Sequence, residues 1–136
     1  MPRKIFVDTS YVLALFNTAD EFHTQARELK NLTAPPHNII TTEAILLEIG
    51  NALSRRNFRQ NCSSFIKGFY VTANIEVVPI TTVLIKKGLE LFDKRNDKEW
   101  GLVDCISFVV MEKYGIKEAL AADEHFIQAG FKALLL

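Results

Sequence analysis

Three large apolar residues, Ile5-Phe6-Val7, run straight into Asp8, and the hydroxyls of Thr9 and Ser10 follow. A short continuous apolar run is the pattern of a strand buried on both faces, and an acid trailed by hydroxyls marks a helix N-terminus. A chain that starts this way is committed to a sheet covered by helices, with Asp8 delivered where the strand leaves the core. The arrangement recurs near the other end, where Ala119-Leu120-Ala121-Ala122 runs into Asp123-Glu124-His125-Phe126. Two strand ends, each offering an aspartate, point to one shared site.

Between them the chain alternates helix and strand patterns. Residues 11–16 predict a buried helix capped by Thr9 or Ser10, and Phe22, Ala26, Leu29 and Leu32 predict an amphipathic helix over 22–32 that Ala34-Pro35-Pro36 ends. Ile39-Ile40 reads as a strand. Thr41 or Thr42 caps a helix running to about Arg56, with Ile45, Ile49, Ala52 and Leu53 inward and Glu48 beside that stripe. Residues 61–73 predict another helix, whose aromatic density fits either a partner surface or plain core packing. A strand over 75–78 and a helix over 82–94, with Val83, Leu84, Leu91 and Phe92 inward, come next. A polar loop over 95–101 leads to an apolar helix over 102–114, which Gly115 stops. A strand over 119–122, a short helix over 124–129 and a strand over 131–136 complete the chain. The alternation predicts an α/β fold of three layers, α/β/α, around a central, mostly parallel sheet of four or five strands. In such a sheet right-handed crossovers place ligands outside the carboxyl ends of the strands, at the topological switch point.

At 136 residues the expectation is a single domain spanning residues 1–136 with a proper core. Lys plus Arg equals Asp plus Glu at 16 each. There is no global basic field, so a polyanion must be met by a local patch, for which Arg55, Arg56 and Arg59, or Lys94, Arg95 and Lys98, are candidates. Cys62 and Cys105 form no CxxC pair and lie in apolar contexts, which reads as reduced thiols of a cytoplasmic protein. Too few apolar residues precede Asp8 for a signal-peptide core, and no run reaches membrane-spanning length. No membrane partner is expected.

Asp8 and Asp123, each taken alone, read equally well as plain helix caps. Asp104 says more. It stands in Leu102-Val103-Asp104-Cys105-Ile106-Ser107-Phe108, where an unpaired carboxylate is costly to bury, so it requires a cation, a donor or a helix N-terminus. Glu48 lies mid-helix, with Ala44 and Ala52 leaving room around its head; surface pairing with Arg55 or Arg56 is the alternative. Clustered carboxylates repel one another and either take up protons or recruit metal. All four are oxygen donors, and the chain lacks HxxxH or Cys/His zinc spacing, so Mg²⁺ or Mn²⁺ fits better than Zn²⁺. That is the chemistry of phosphodiester hydrolysis without a covalent intermediate. Competing sites lack their motifs: there is no GxxxxGK[ST], GxGxxG or GxSxG. The histidines His23, His37 and His125 are scattered; His125, beside Asp123, either touches substrate or is structural.

With these residues in view, the chain resembles the PIN domain family, and within it the VapC-like toxin ribonucleases. The matching pieces are Phe6-Val7-Asp8-Thr9-Ser10, His23 with Ala26, Thr42 with Glu48 and Leu53, Leu102 to Phe108, Ala121 to Phe126, and Ala129-Gly130-Phe131. The resemblance implies a Mg²⁺- or Mn²⁺-dependent endoribonuclease with a four-acid site, commonly a homodimer, whose partners are RNA and a small antitoxin that blocks the cleft. Asp8 and Asp104 then look like the main metal ligands, Glu48 and Asp123 complete the cluster, and Thr9 or Ser10 supports metal or substrate. One departure is Gly101, where the family often has a hydroxyl residue. The competing expectation is a PIN-like RNA-binding or scaffold protein without turnover.

Overall fold

Three apolar residues suffice for the first strand because none of them meets water: Ile5 and Phe6 are fully buried and Val7 is 1% exposed. In the computed structural model, which describes residues 2–136, this strand is β1 (Lys4–Val7), and it is followed by β2 (Asn38–Thr42), β3 (Ile75–Val78), β4 (Glu118–Leu120) and β5 (Lys132–Ala133). They form one five-stranded sheet in the order β3-β2-β1-β4-β5, with every pairing parallel. β1 is central, in register with β2 through Ile5↔Ile39 and with β4 through Phe6↔Ala119.

The helices are α1 (Thr9–Phe16), α2 (His23–Glu28), α3 (Glu43–Ala52), α4 (Arg56–Val71), α5 (Thr82–Lys94), α6 (Leu102–Tyr114) and α7 (Glu124–Gln128). Successive strands step from β1 to β3 in one direction, then jump back across β1 to β4 and on to β5. Right-handed crossovers therefore lay α1–α4 over one face and α5–α7 over the other. Each side has its own aromatic filling. Phe16 packs edge-on against Phe58 and Phe65 on the first, and Trp100, Phe108, Phe126 and Phe131 pack together on the second. Phe6 reaches down from the sheet to meet Phe126. The three-layer α/β/α architecture matches the sequence expectation.

Local differences have local causes. The helix expected over 22–32 breaks into α2 and a 3₁₀ turn, Lys30–Thr33. Its apolar residues Ala26, Leu29 and Leu32 recur every third position, a spacing that keeps one face on 3₁₀ winding and drifts off it on α winding. α3 stops at Ala52, which is exposed, and α4 begins at Arg56 instead of near Asn61; the extra turn brings Phe58 onto Phe16. Within α4, Cys62 and Phe69 are buried, and Phe65 stacks on both Phe16 and Phe69. That aromatic density thus serves the core, with Tyr70 and Val71 left outside. On α5, Val83 and Phe92 face solvent instead of the core, because the inward positions go to Leu84, Gly88 and Leu91. Gly88 is buried against α6 so closely that a Cβ there would lie 2.6 Å from Ile106 Cγ1. β5 keeps two ladder residues of the six expected before the chain turns, although Leu134 and Leu135 still donate to the carbonyls of Ala119 and Ala121.

Candidate active site

The switch point lies between β1 and β4, whose outgoing loops leave toward opposite faces and open a crevice at their carboxyl ends. β1 leaves Asp8 there. Its backbone N–H donates to Leu120 O at 3.1 Å, extending the ladder by one residue. Its side chain caps α1, Oδ2 accepting from Ser10 N at 3.1 Å and from Ser10 Oγ at 2.6 Å. The capping residue is thus Asp8 itself, and Thr9 and Ser10 occupy the first turn. Ser10 Oγ also accepts from Ala122 N at 2.9 Å, which ties the end of β1 to the end of β4.

β4 delivers Asp123, the cap of α7, whose Oδ1 accepts from His125 N at 2.9 Å. α6 delivers Asp104 from its first turn, where Oδ2 accepts from Gly101 N at 3.1 Å and meets His125 Nδ1 at 2.9 Å. His125 Nδ1 is also 3.5 Å from Asp123 Oδ1. Ligand atoms of Asp104, Asp123 and His125 all lie within 4.8 Å of one another. α3 delivers Glu48, whose Oε1 accepts from Thr9 Oγ1 at 2.6 Å. The helix cap thus explains part of the geometry at Asp8 and Asp123, but in each the cap engages a single carboxylate oxygen.

The electrostatics follow from this crowding. Asp8 is 6% exposed, and burial above all pushes its pKa up to about 6; hydrogen bonds from Ser10 pull it down, and the negative charges of Asp104 and Asp123 push it up again. Burial alone would lower the pKa of His125, but its hydrogen bond to Asp104 and the charges of Asp123, Asp104 and Glu99 outweigh that, so the net movement is upward. The acids around it thus favour the protonated form of the imidazole.

Asp8, Asp104, Asp123 and His125 are therefore gathered at one crevice, and Glu48 is tied to the residue next to Asp8. His125 is more central than its sequence position suggested, since its bond to Asp104 joins residues 21 apart on different helices. Gly101 caps α6 without a side chain; its N–H finds Asp104 instead. Arg55 and Arg56 are exposed at the start of α4, and among the described residues no ion pair joins either to Glu48. Arg95 is engaged: it pairs with Asp97 through both guanidinium arms and stacks 5.0 Å from the Trp100 ring. His23 is structural, its Nδ1 bonding Ala14 O at 2.7 Å to tie α2 to α1.

A PIN domain model matches residues 5–132. The chain belongs to the PIN domain family. It is similar to the 23S rRNA-specific endonuclease VapC20 of Mycobacterium tuberculosis, with 32% identity over 127 residues, covering 93% of this chain and 95% of the relative in each of two strains. The crystal structure of that VapC20, described as a Sarcin-Ricin loop cleaving toxin, superposes with a TM-score of 0.82 at 31% identity, covering 93% of this chain and 95% of that one. Among the described residues no helix is long and apolar enough to cross a membrane.

Proposed function

We propose that this PIN domain is a divalent-metal-dependent endoribonuclease of the VapC-like toxin kind, working at the four carboxylates Asp8, Glu48, Asp104 and Asp123. The observation that carries the reading is the convergence of Asp104, Asp123 and His125 within 4.8 Å, beside a buried Asp8, at the switch point of a parallel sheet. Nothing in core packing calls for three carboxylates in one place, and their mutual repulsion has to be relieved. The donor set fits a hard cation such as Mg²⁺ or Mn²⁺, because carboxylate oxygens dominate it, with the His125 imidazole beside them. Asp8, Asp104, Asp123 and Glu48 would hold the ion. The chemistry it supplies when bound is activation of a water and neutralisation of charge on the attacked phosphodiester.

The chain's own residues set up that chemistry in three ways. Ser10 fixes the Asp8 carboxylate from two donors, so no rotamer search precedes binding. His125, with Nδ1 held by Asp104, sets an imidazole beside the crevice, where an approaching phosphate would meet it. Arg55 and Arg56, exposed and without an ion pair among the described residues, are the candidates for phosphate contacts. Ribosomal RNA, the substrate named for the VapC20 relative, is the first RNA to test. The reading includes a protein antitoxin that covers the crevice, and a homodimeric assembly.

The experiment is cleavage of 23S rRNA and of a generic single-stranded RNA with Mg²⁺, Mn²⁺ or chelator, by wild type, Asp8→Asn and Asp104→Asn, with circular dichroism to report the fold. Cleavage should require metal and vanish in both folded variants. Undiminished cleavage in either variant, or in chelator, sinks the reading.

A further inference from the structure

Among the described residues Thr9 makes the one polar contact by which Glu48 is attached to the rest of the site, and we propose that it is the positioning residue for Glu48, committing one carboxylate oxygen so that the other is presented to the crevice. The proposal rests on the ribonuclease reading above and deepens it, replacing a general support of metal or substrate by Thr9 or Ser10 with a specific act of Thr9 on Glu48.

Thr9 is the first residue of α1, directly after Asp8, and its Oγ1 lies 2.6 Å from Glu48 Oε1. An ionised carboxylate only accepts and a hydroxyl carries a single proton, so the direction is fixed: Thr9 donates and Oε1 receives. The separation is that of a charge-assisted O–H···O⁻ bond. Among the described residues Glu48 makes no other side-chain hydrogen bond and no ion pair. Its helical neighbours one turn away are Ala44 and Ala52, too small to pack against its head. Untethered, such a glutamate samples several rotamers, most of them in solvent. The contact draws it back over α1, to the residue adjoining Asp8.

The same turn of α1 treats its other acid in the same manner. Ser10 commits Asp8 Oδ2, and among the described residues Oδ1 has no hydrogen-bond partner. Consecutive hydroxyls thus each occupy one oxygen of one carboxylate, and both acids are left as one-oxygen donors from different elements, β1 and α3. A cation meeting them would be held by single oxygens from each, with room on its remaining positions for water and phosphate.

The test is Mn²⁺ binding, read by the electron paramagnetic resonance of free Mn²⁺, on the full chain carrying Thr9→Val, Thr9→Ser, Glu48→Gln or Thr9→Val with Glu48→Gln. RNA cleavage is resolved into kcat and KM beside it, and melting in chelator reports the fold. Thr9→Val keeps the shape and removes the donor; Mn²⁺ binding should weaken by roughly tenfold, the scale seen when a ligand loses its supporting hydrogen bond. The cleavage rate kcat should fall while KM for RNA stays, and Thr9→Ser should restore both. In the Glu48→Gln background Thr9→Val should cost nothing further, because its effect runs through that side chain. Wild-type Mn²⁺ affinity in Thr9→Val, with Glu48→Gln weakened, overturns the role of Thr9 and leaves the ribonuclease reading standing. Equal losses in both backgrounds overturn it too, as does a loss that Thr9→Ser does not restore. Should Thr9→Val melt below assay temperature, Thr9→Ser decides, since a tenfold loss there is incompatible with a role that needs only the hydroxyl. If Glu48→Gln binds Mn²⁺ as wild type does while Asp104→Asn fails to, the proposal falls alone; if Asp104→Asn also binds normally, the site reading falls with it.

Discussion

Asp8→Asn should stabilise this protein while removing its activity. Asp8 is 6% exposed, and burial is the main reason its pKa rises from 3.8 to about 6. An acid whose pKa is raised on folding binds its proton more tightly in the folded chain. Its contribution to stability is therefore complete below 3.8 and is lost as pH climbs through about 6. Above that window the ionised carboxylate costs about 3 kcal/mol of folding free energy, taking about 1.4 kcal/mol per tenfold change in proton affinity. Asparagine keeps the shape and an oxygen for Ser10, and has no charge to bury. In chelator at about pH 7.5 the variant should melt above wild type by up to about 9 °C, at roughly 3 °C per kcal/mol for a chain of this length, and at about pH 4 the two should coincide. Millimolar Mn²⁺ should raise the melting point of wild type and leave the variant nearly unmoved, because only a folded, charged site gains by mass action. Differential scanning calorimetry of both proteins at both pH values checks this. A gap that does not change with pH, or a wild type that is the more stable at neutral pH without metal, would refute the account of Asp8 as a buried acid charged at a cost.

Other substitutions probe the frame around the site. Gly88→Ala should lose about 1–3 kcal/mol in urea unfolding, since its Cβ would meet Ile106 Cγ1 at 2.6 Å and the backbone N of Ile106 at 3.4 Å, where only one of the two neighbours can yield. Tyr11→Phe should be neutral or stabilising by about 1 kcal/mol on thermal melting, because the hydroxyl it removes is buried without a partner and burial holds its pKa up at about 12. Thr42→Val should cost about 1 kcal/mol, because Thr42 Oγ1 caps α3 by accepting from Ile45 N at 3.2 Å and valine offers no acceptor; unchanged stability in denaturant would remove the cap from the account of why Glu48 sits where it does.

How much of this was legible in the sequence depends on whether a residue's reason for being there is local. Ile5-Phe6-Val7 before Asp8 and Ala119 to Ala122 before Asp123 announce strand ends by composition alone, and their pairing across β1 and β4 is what a parallel sheet does with them. Asp104 was visible because its neighbours from Leu102 to Val110, Ser107 apart, are apolar. The partners that give these acids their chemistry were not visible, because they arrive from other elements: His125 to Asp104, Thr9 to Glu48, and Ser10 to a backbone N–H at Ala122. Periodicity also misplaced Val83 and Phe92, which satisfy a helical stripe on paper yet face water, because the tight α5–α6 contact at Gly88 rotates the helix about a smaller residue. The start of α4 was hidden for a similar reason, since what recruits Arg56 to Asn61 into the helix is Phe58 reaching Phe16 on a different helix.

The central place of β1 sets the order in which a new chain can become competent. β1 is made first and its neighbour β2 soon after, but its other edge stays open until Glu118–Leu120 has been synthesised, and the Ser10 bridge to Ala122 spans 112 residues. A chain interrupted before β4 possesses Asp8, Glu48 and Asp104 and yet has nothing on that side to close the crevice, and it lacks both Asp123 and His125. Loops that long close late, after local helices have formed. The acidic crevice is therefore completed only after β4 and the turn that carries Asp123 and His125 have been made and have reached β1.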